Sequence, residues 1–214
     1  MRILSSWSGG KDSCYALIKA IEEGGQVQVL LNMMNENGKI SRSHGIPLVV
    51  LQQQAASIGV PLATCQATWA EYEVMFIETL QKLTSEYNLN TAVFGDIDIE
   101  SHKAWEEKVC KAANLKAYLP LWQGQRKQLV IDMINAGIKA VIVSCNTMLG
   151  KSFLGREINL ELLDELENLG VDCCGENGEY HTLVVDGPIF KQRLKILESQ
   201  KVLRDGYWFL DIRK

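Results

Sequence analysis

The sequence predicts an α/β protein: a doubly wound parallel sheet of five strands, followed by a smaller C-terminal α+β unit. Three observations lead there. A short apolar strand at the N-terminus runs into a double-glycine turn and then directly into an amphipathic helix. Strand and helix signals alternate from there to Trp122. Beyond Trp122 the rhythm breaks, giving two helices, one apolar strand, a glycine-rich stretch and aromatic strands.

Arg2-Ile3-Leu4 is the first strand. After the turn, Cys14, Leu17, Ile18 and Ile21 recur at the i, i+3, i+4, i+7 spacing of one helical face. Residues 27–33 read as the second strand, 47–58 as a helix and 61–65 as the third strand. The helix over 71–87 carries Tyr72, Phe76, Leu80 and Leu83 on one side. Residues 91–94 form the fourth strand, 103–113 a helix, and 115–119 the fifth strand. Strands alternating with helices of this length require crossover connections, hence a parallel sheet. A boundary near Trp122 divides the chain into 1–122 and 123–214. In the second part, helices over 125–136 and 157–169 flank a buried strand at 138–143, and Leu183-Val184-Val185 and Tyr207-Trp208-Phe209-Leu210 read as further strands.

Composition narrows the function. The 214 residues are 47% hydrophobic and 22% charged, with a net charge of −4, and they hold no block of lysine or arginine. That balance argues against a nucleic-acid partner. The N-terminus lacks the apolar stretch of a signal peptide, and no segment approaches a membrane span, so a cytoplasmic protein is expected. The six cysteines (Cys14, Cys65, Cys110, Cys145, Cys173 and Cys174) include no C-x-x-C pair and read as buried free thiols. His44, His102 and His181 are widely spaced in sequence and suggest no metal cluster.

Ser8-Gly9-Gly10-Lys11-Asp12-Ser13 carries the clearest chemistry. A strand, a glycine turn and a helix N-terminus together make an anion site, because free amides and the helix dipole converge there. Paired glycines let the backbone approach phosphate oxygens. Ser8 and Ser13 add hydroxyls, Lys11 a charge, and Asp12 a carboxylate suited to Mg²⁺. The spacing is not that of a Walker A loop. Gly95-Asp96 ends a parallel strand at the carboxyl edge, where Asp96 either orients a ligand or is a solvated loop carboxylate. Arg156 either grips an anion or lies on the surface. The loop 41–45 either closes over a substrate or is a surface turn. The second constellation is Gly175-Glu176-Asn177-Gly178-Glu179-Tyr180-His181-Thr182, in which two carboxylates, an amide, an imidazole and a hydroxyl are framed by glycines. Glu179 or His181 is a candidate general base; the plainer reading is a polar turn before a hairpin strand.

With both motifs in hand, the chain resembles the diphthine–ammonia ligase family of PP-loop, N-type ATP pyrophosphatases. The resemblance rests on Ser8 to Ser13, Gly95-Asp96-Ile97, Trp105-Glu106-Glu107-Lys108-Val109-Cys110 and Leu119-Pro120-Leu121-Trp122. It continues through Leu154-Gly155-Arg156, the run Gly175 to Thr182 and Asp186-Gly187-Pro188-Ile189-Phe190. It implies the HUP-type fold and a two-step amidation. ATP adenylates a carboxylate (that of diphthine, a modified histidine on the translocation elongation factor) with release of diphosphate, and ammonia then displaces AMP.

Carried over residue by residue, the resemblance assigns Ser8, Gly9, Gly10, Lys11, Asp12, Ser13, Gly95 and Asp96 to ATP, with Asp12 on Mg²⁺. It assigns Gly175, Glu176, Asn177, Gly178, Glu179, Thr182 and Arg156 to the acceptor side, and Asp12, Glu176, Glu179 and His181 to catalysis. The sequence stops soon after the second motif and in detail is similar to the short bacterial branch, for which an acceptor other than diphthine, such as a small molecule, is expected. A homodimer is compatible with this reading. Two other classes stay open: a PP-loop sulfurtransferase or tRNA-modifying enzyme, with Cys173-Cys174 as its one support, and a non-catalytic adenine-nucleotide-binding module.

Overall fold

The computed structural model describes residues 1–196 and 198–213. Five parallel strands form the first sheet: β1 (Arg2–Ser6), β2 (Gln26–Met34), β3 (Leu62–Gln66), β4 (Thr91–Val93) and β5 (Lys116–Tyr118). Their spatial order is β3-β2-β1-β4-β5. The chain moves outward one way from β1, then returns to its other side, so the order reverses between β1 and β4. Loops leaving the carboxyl ends of those two strands diverge and open a crevice. Four helices make the crossovers: α1 (Lys11–Glu22), α2 (Leu48–Ile58), α3 (Tyr72–Tyr87) and α4 (Glu100–Ala112). The doubly wound architecture expected from the sequence is the one observed.

The second sheet is antiparallel, in the order β7-β6-β9-β8. Its strands are β6 (Lys139–Asn146), β7 (Tyr180–Asp186), β8 (Glu198–Arg204) and β9 (Tyr207–Arg213), and α5 (Arg126–Asn135) and α6 (Leu160–Asn168) accompany it. Two apolar clusters hold the layers together. Phe76 and Leu80 of α3 and Val109 of α4 close over Leu4, Val29 and Ala92 on one face of the parallel sheet. On the other face, Leu17 and Leu51 belong to a single cluster with Ile142, Leu183 and Val184. One core therefore crosses from the first sheet to the second. Each of these side chains is fully buried, and each one larger than Ala92 contributes about 1.5–3 kcal/mol by transfer out of water. No helix among the described residues is long and apolar enough to cross a membrane.

Several elements differ from their expected bounds for identifiable reasons. α4 starts at Glu100, where the amides of His102 and Lys103 donate to the Ile99 carbonyl; its first turn is polar and leaves no apolar signal. α6 starts at Leu160, because the Asn159 side chain accepts from the Leu162 amide and caps it. β7 begins at Tyr180, so the end of the second motif lies on a strand rather than in a turn. β8 had no sequence signal: it is an edge strand with mostly exposed residues. Asp205 and Gly206 join it to β9, both with positive φ, as a two-residue hairpin turn demands.

Candidate active site

The crevice between β1 and β4 is a cleft of roughly 270 Å³. Ser8, Lys11, Asp12 and Ser13 floor it, Gly95 and Asp96 stand on one side, and Glu176, Tyr180, His181 and Thr182 close the other. The two sequence motifs thus face each other across one cavity. The contact is direct: the Val184 amide donates to the Gly9 carbonyl (2.9 Å), and the Lys11 amide donates to the Thr182 hydroxyl (3.0 Å). Gln54 of α2, wholly buried, braces the junction. Its side-chain amide donates to the carbonyls of Gly9 (2.9 Å) and Val184 (2.8 Å), and its oxygen accepts from the Trp7 indole (2.9 Å).

Two glycines are required by close approach. A Cβ on Gly10 would lie 2.5 Å from His44 Cε1 and 3.1 Å from the Thr182 carbonyl oxygen. One on Gly95 would lie 2.8 Å from both the Asp12 carbonyl carbon and the Ser13 amide, so only glycine lets β4 end against the first turn of α1. That turn lacks a side-chain cap of its own. Thr182 takes the Lys11 amide and the Cys14 amide bonds the Gly10 carbonyl, while no hydrogen bond among the described residues uses the amides of Asp12 or Ser13. The Ser8 and Ser13 hydroxyls lie 3.0 Å apart beside them. Free amides, hydroxyls and the positive end of α1 suit an anion with phosphate geometry.

Lys11 does something other than the sequence suggests. Its ammonium is buried, bonded to Asp12 Oδ2 (2.9 Å) and to the Cys174 carbonyl, and lies over the Tyr180 ring at 5.3 Å. Burial pulls the ammonium's pKa down, but Asp12, Tyr180 and Cys174 outweigh it and hold the pKa above the ordinary range. Lys11 is thus a strut between the two motifs that stays charged. Asp12 Oδ1 is buried with no hydrogen-bond partner, an orphaned acceptor at the cleft.

Acidic groups converge opposite. Burial, with Asp12 and Asp96 nearby, pushes the Glu176 carboxyl up to about 7. Its amide donates to Asp172 Oδ2 (2.9 Å). Arg126 bonds both oxygens of Asp98 (2.8 and 2.7 Å) and Asp172 Oδ2 (2.6 Å), tying the loop after β4 to the loop that carries Glu176. Burial pushes the Asp96 carboxyl up, but hydrogen bonds with His102 (2.8 Å) and Glu106 outweigh it and leave it below the ordinary range. Burial and Asp96 together push Glu106 up to about 11.

All three histidines line this cleft, although no group of three or more His, Cys, Asp or Glu among the described residues is arranged to hold a metal by itself. His44 arrives on the loop after β2. Its Nδ1–H donates to the Thr182 carbonyl (2.9 Å), which fixes the tautomer because a carbonyl can only accept. The His44 and His181 rings stack with centroids 4.7 Å apart. Burial pulls His44 down to about 4, and burial together with His44 pulls His181 down to about 3, so both are neutral at pH 7. In that state His181 is a weak base. His44, His102, Gln54 and Arg126 are the participants that sequence reasoning missed; of these only His44 carried a hint, in the polar loop 41–45.

Three expected residues fall elsewhere. Arg156 is outside the cleft: its guanidinium forks onto Glu165 (2.9 and 2.6 Å) and lies over the Phe153 ring. Asn177 and Glu179 line a separate, open depression with Arg126 and Asp172, on the far side of a tight turn in which Gly175 and Gly178 both take positive φ. Gly175, Glu176, Gly178 and Thr182 face the cleft.

Two family models match the chain. Residues 1–117 match the family described as diphthamide synthase N-terminal domain, and residues 125–214 match the diphthamide synthase C-terminal domain. A Mus musculus protein named diphthine–ammonia ligase is 27% identical over 240 residues, covering 99% of this chain and 89% of that protein. A Schizosaccharomyces pombe protein of the same name is 29% identical over 225 residues, covering 94% of this chain but 37% of its own length. A solved structure, that of a predicted tRNA methyltransferase subunit from Methanocaldococcus jannaschii, aligns at a TM-score of 0.45 and 15% identity over 91% of this chain and 100% of that one; so loose a likeness carries no argument.

Proposed function

The chain belongs to the diphthamide synthase family, and on that premise we propose that it is an ATP-dependent carbon–nitrogen ligase forming AMP and diphosphate. One observation carries the reading. The anion-binding turn of α1 and the ionisable Glu176 face each other across a single cleft, so an activated carboxylate and its nucleophile can meet there. Diphthine is the acceptor carried in the relatives' names, and we take it as the acceptor here.

An oxygen of the acceptor carboxylate attacks the α-phosphorus of ATP; the bond to the bridging oxygen breaks and diphosphate leaves with the electron pair. Ammonia then attacks the acyl carbon, AMP departs from it, and the proton lost by nitrogen passes to the Glu176 carboxylate. The Asp12 and Ser13 amides and the Ser8 and Ser13 hydroxyls bind phosphate oxygens. Mg²⁺ fits Asp12, whose Oδ1 is orphaned, because the ion accepts one protein carboxylate and completes its shell with water and phosphate. When bound, it would neutralise phosphate charge. The chain's own contribution is positioning and charge stabilisation, with Lys11 holding the motifs together.

Sulfur transfer would need a thiolate, but burial raises the Cys174 thiol above the ordinary range, and its Sγ–H donates to the Arg126 carbonyl (3.0 Å). A nucleotide sensor would bind ATP without turnover. The deciding experiment supplies α-labelled ATP, Mg²⁺, ammonium and diphthine-bearing elongation factor, and resolves AMP from ADP. Ammonium-dependent AMP, abolished by Asp12→Ala, is the expected result; ADP, or tight binding with no turnover, overturns it.

A further inference from the structure

His102 and Glu106 stand four residues apart on one face of α4, and both reach Asp96 in the loop after β4. Glu106 is buried and titrates at about 11, so at pH 7 its carboxyl is neutral and its O–H donates to Asp96. Asp96 keeps its charge and accepts the His102 Nδ1–H at 2.8 Å. A carboxylate can only accept, so the neutral His102 ring carries its lone pair on Nε2, an atom that no hydrogen bond among the described residues uses. The hydrogen bond and charge of Asp96 hold the His102 pKa above the ordinary range, against burial that pulls it down. Asp96 and His102 line the cleft, and the Glu176 carboxyl faces His102 from the other motif. An imidazole oriented by a buried carboxylate is thus present in the cleft, with no task in binding phosphate.

Amidation leaves one proton unassigned. At pH 7 ammonia is almost wholly ammonium, which has no lone pair and cannot attack. Turning ammonium and an acyl adenylate into an amide and AMP releases two protons, and Glu176 takes only one. We propose, on the ligase reading, that His102 is the second base: its Nε2 takes a proton from ammonium held between the Asp96 and Glu176 carboxylates. The N–H bond breaks with its electron pair left on nitrogen, and the proton becomes the Nε2–H of an imidazolium that Asp96 stabilises. The freed lone pair forms the C–N bond, AMP leaves the acyl carbon with its own pair, and the second proton passes to Glu176. Asp96 and Glu106 are positioning residues, which fix the tautomer and keep the charge beside the ring. Two carboxylates at this end of the cleft also draw in a small cation.

The test compares two nucleophiles, using the wild-type protein and His102→Gln with ATP, Mg²⁺ and diphthine-bearing elongation factor. The His102 side chain is 55% exposed, a position compatible with folding. Ammonium chloride needs the extra deprotonation; hydroxylamine, mostly uncharged at pH 7, does not. With ammonium at pH 7 the variant should lose about a hundredfold in kcat/KM, and with hydroxylamine less than about threefold. The ammonium deficit should shrink as pH is raised from 7 to 9, because free ammonia then bypasses the missing base. A purely structural role for His102 would lower both reactions alike at every pH. Equal losses with the two nucleophiles, a deficit that does not shrink with pH, or full ammonium activity in the variant overturns the proposal. Wild-type protein that forms no AMP with either nucleophile overturns the ligase reading and this proposal with it, an outcome distinct from any difference between nucleophiles.

Discussion

The amide of Lys11, the first residue of α1, donates to the hydroxyl of Thr182, a residue 171 positions later in the chain. A helix N-terminus usually takes its cap from the residue just before it. Here that residue is Gly10, which has no side chain to offer, and the cap comes from β7 of the other sheet. Forming the anion-binding turn and docking the second sheet are therefore one event.

Thr182→Val removes this cap while keeping the side chain's shape. It leaves the buried Lys11 amide unpaired, and the expected loss is about 1–2 kcal/mol, read by urea denaturation. The KM for ATP should rise with it. An unchanged urea midpoint would mean that the amide finds another partner.

Glu176→Gln separates catalysis from stability. On the proposed mechanism Glu176 must be ionised to take the proton, so the wild-type rate should rise through about pH 7 and the variant should be nearly inactive at every pH. Stability runs the other way. The folded carboxyl titrates above its ordinary value of 4.5, so the folded state binds the extra proton between pH 4.5 and about 7. Its penalty is absent below pH 4.5 and complete above about pH 7. Glu176→Gln should thus raise Tm at pH 8, by at most about 3 kcal/mol of stability, and leave it nearly unchanged at pH 4.

Gly95→Ala places a methyl against the backbone of Asp12 and Ser13, which cannot rotate away as a side chain could. A destabilisation of about 1–3 kcal/mol is expected, together with weaker ATP binding, measured by calorimetry. Tight ATP binding by a well-folded Gly95→Ala protein would sink the claim that this contact shapes the site.

Arg126→Ala cuts the tie between Asp98 and Asp172. The ion pairs are partly exposed, so the stability loss should stay near 1 kcal/mol. Activity should drop about a hundredfold, because Glu176 loses its fixed place. Arg126→Lys should rescue it poorly, since lysine cannot take both Asp98 oxygens.

Arg156→Ala is the contrasting case. Its fork is spent on Glu165, away from the cleft, so kcat/KM should be unchanged and stability should fall by less than about 1 kcal/mol. A large loss of activity would return Arg156 to the site.

Much of the fold was legible because it is written in local periodicity. Leu17 and Ile18 of α1 and Phe76 and Leu80 of α3 repeat at helical spacing, and the run 27–33 is apolar enough to be a buried strand. β8 was not, because an edge strand with one neighbour can be mostly polar. The start of α4 was hidden for a similar reason: its first turn lines a cleft instead of a core.

By itself the sequence determined the α/β class, the phosphate-suited turn at Ser8 to Ser13 and the presence of a second polar motif, since each is a matter of residue type at short spacing. The tertiary structure alone decided which of those residues act together. It turned Lys11 inward, gave Thr182 to the α1 cap, set Glu176 toward the cleft with Glu179 behind it, and gathered His44, His102 and His181 from three distant segments. Burial, charge proximity and side-chain direction depend on contacts between elements far apart in the chain, and no local pattern encodes them.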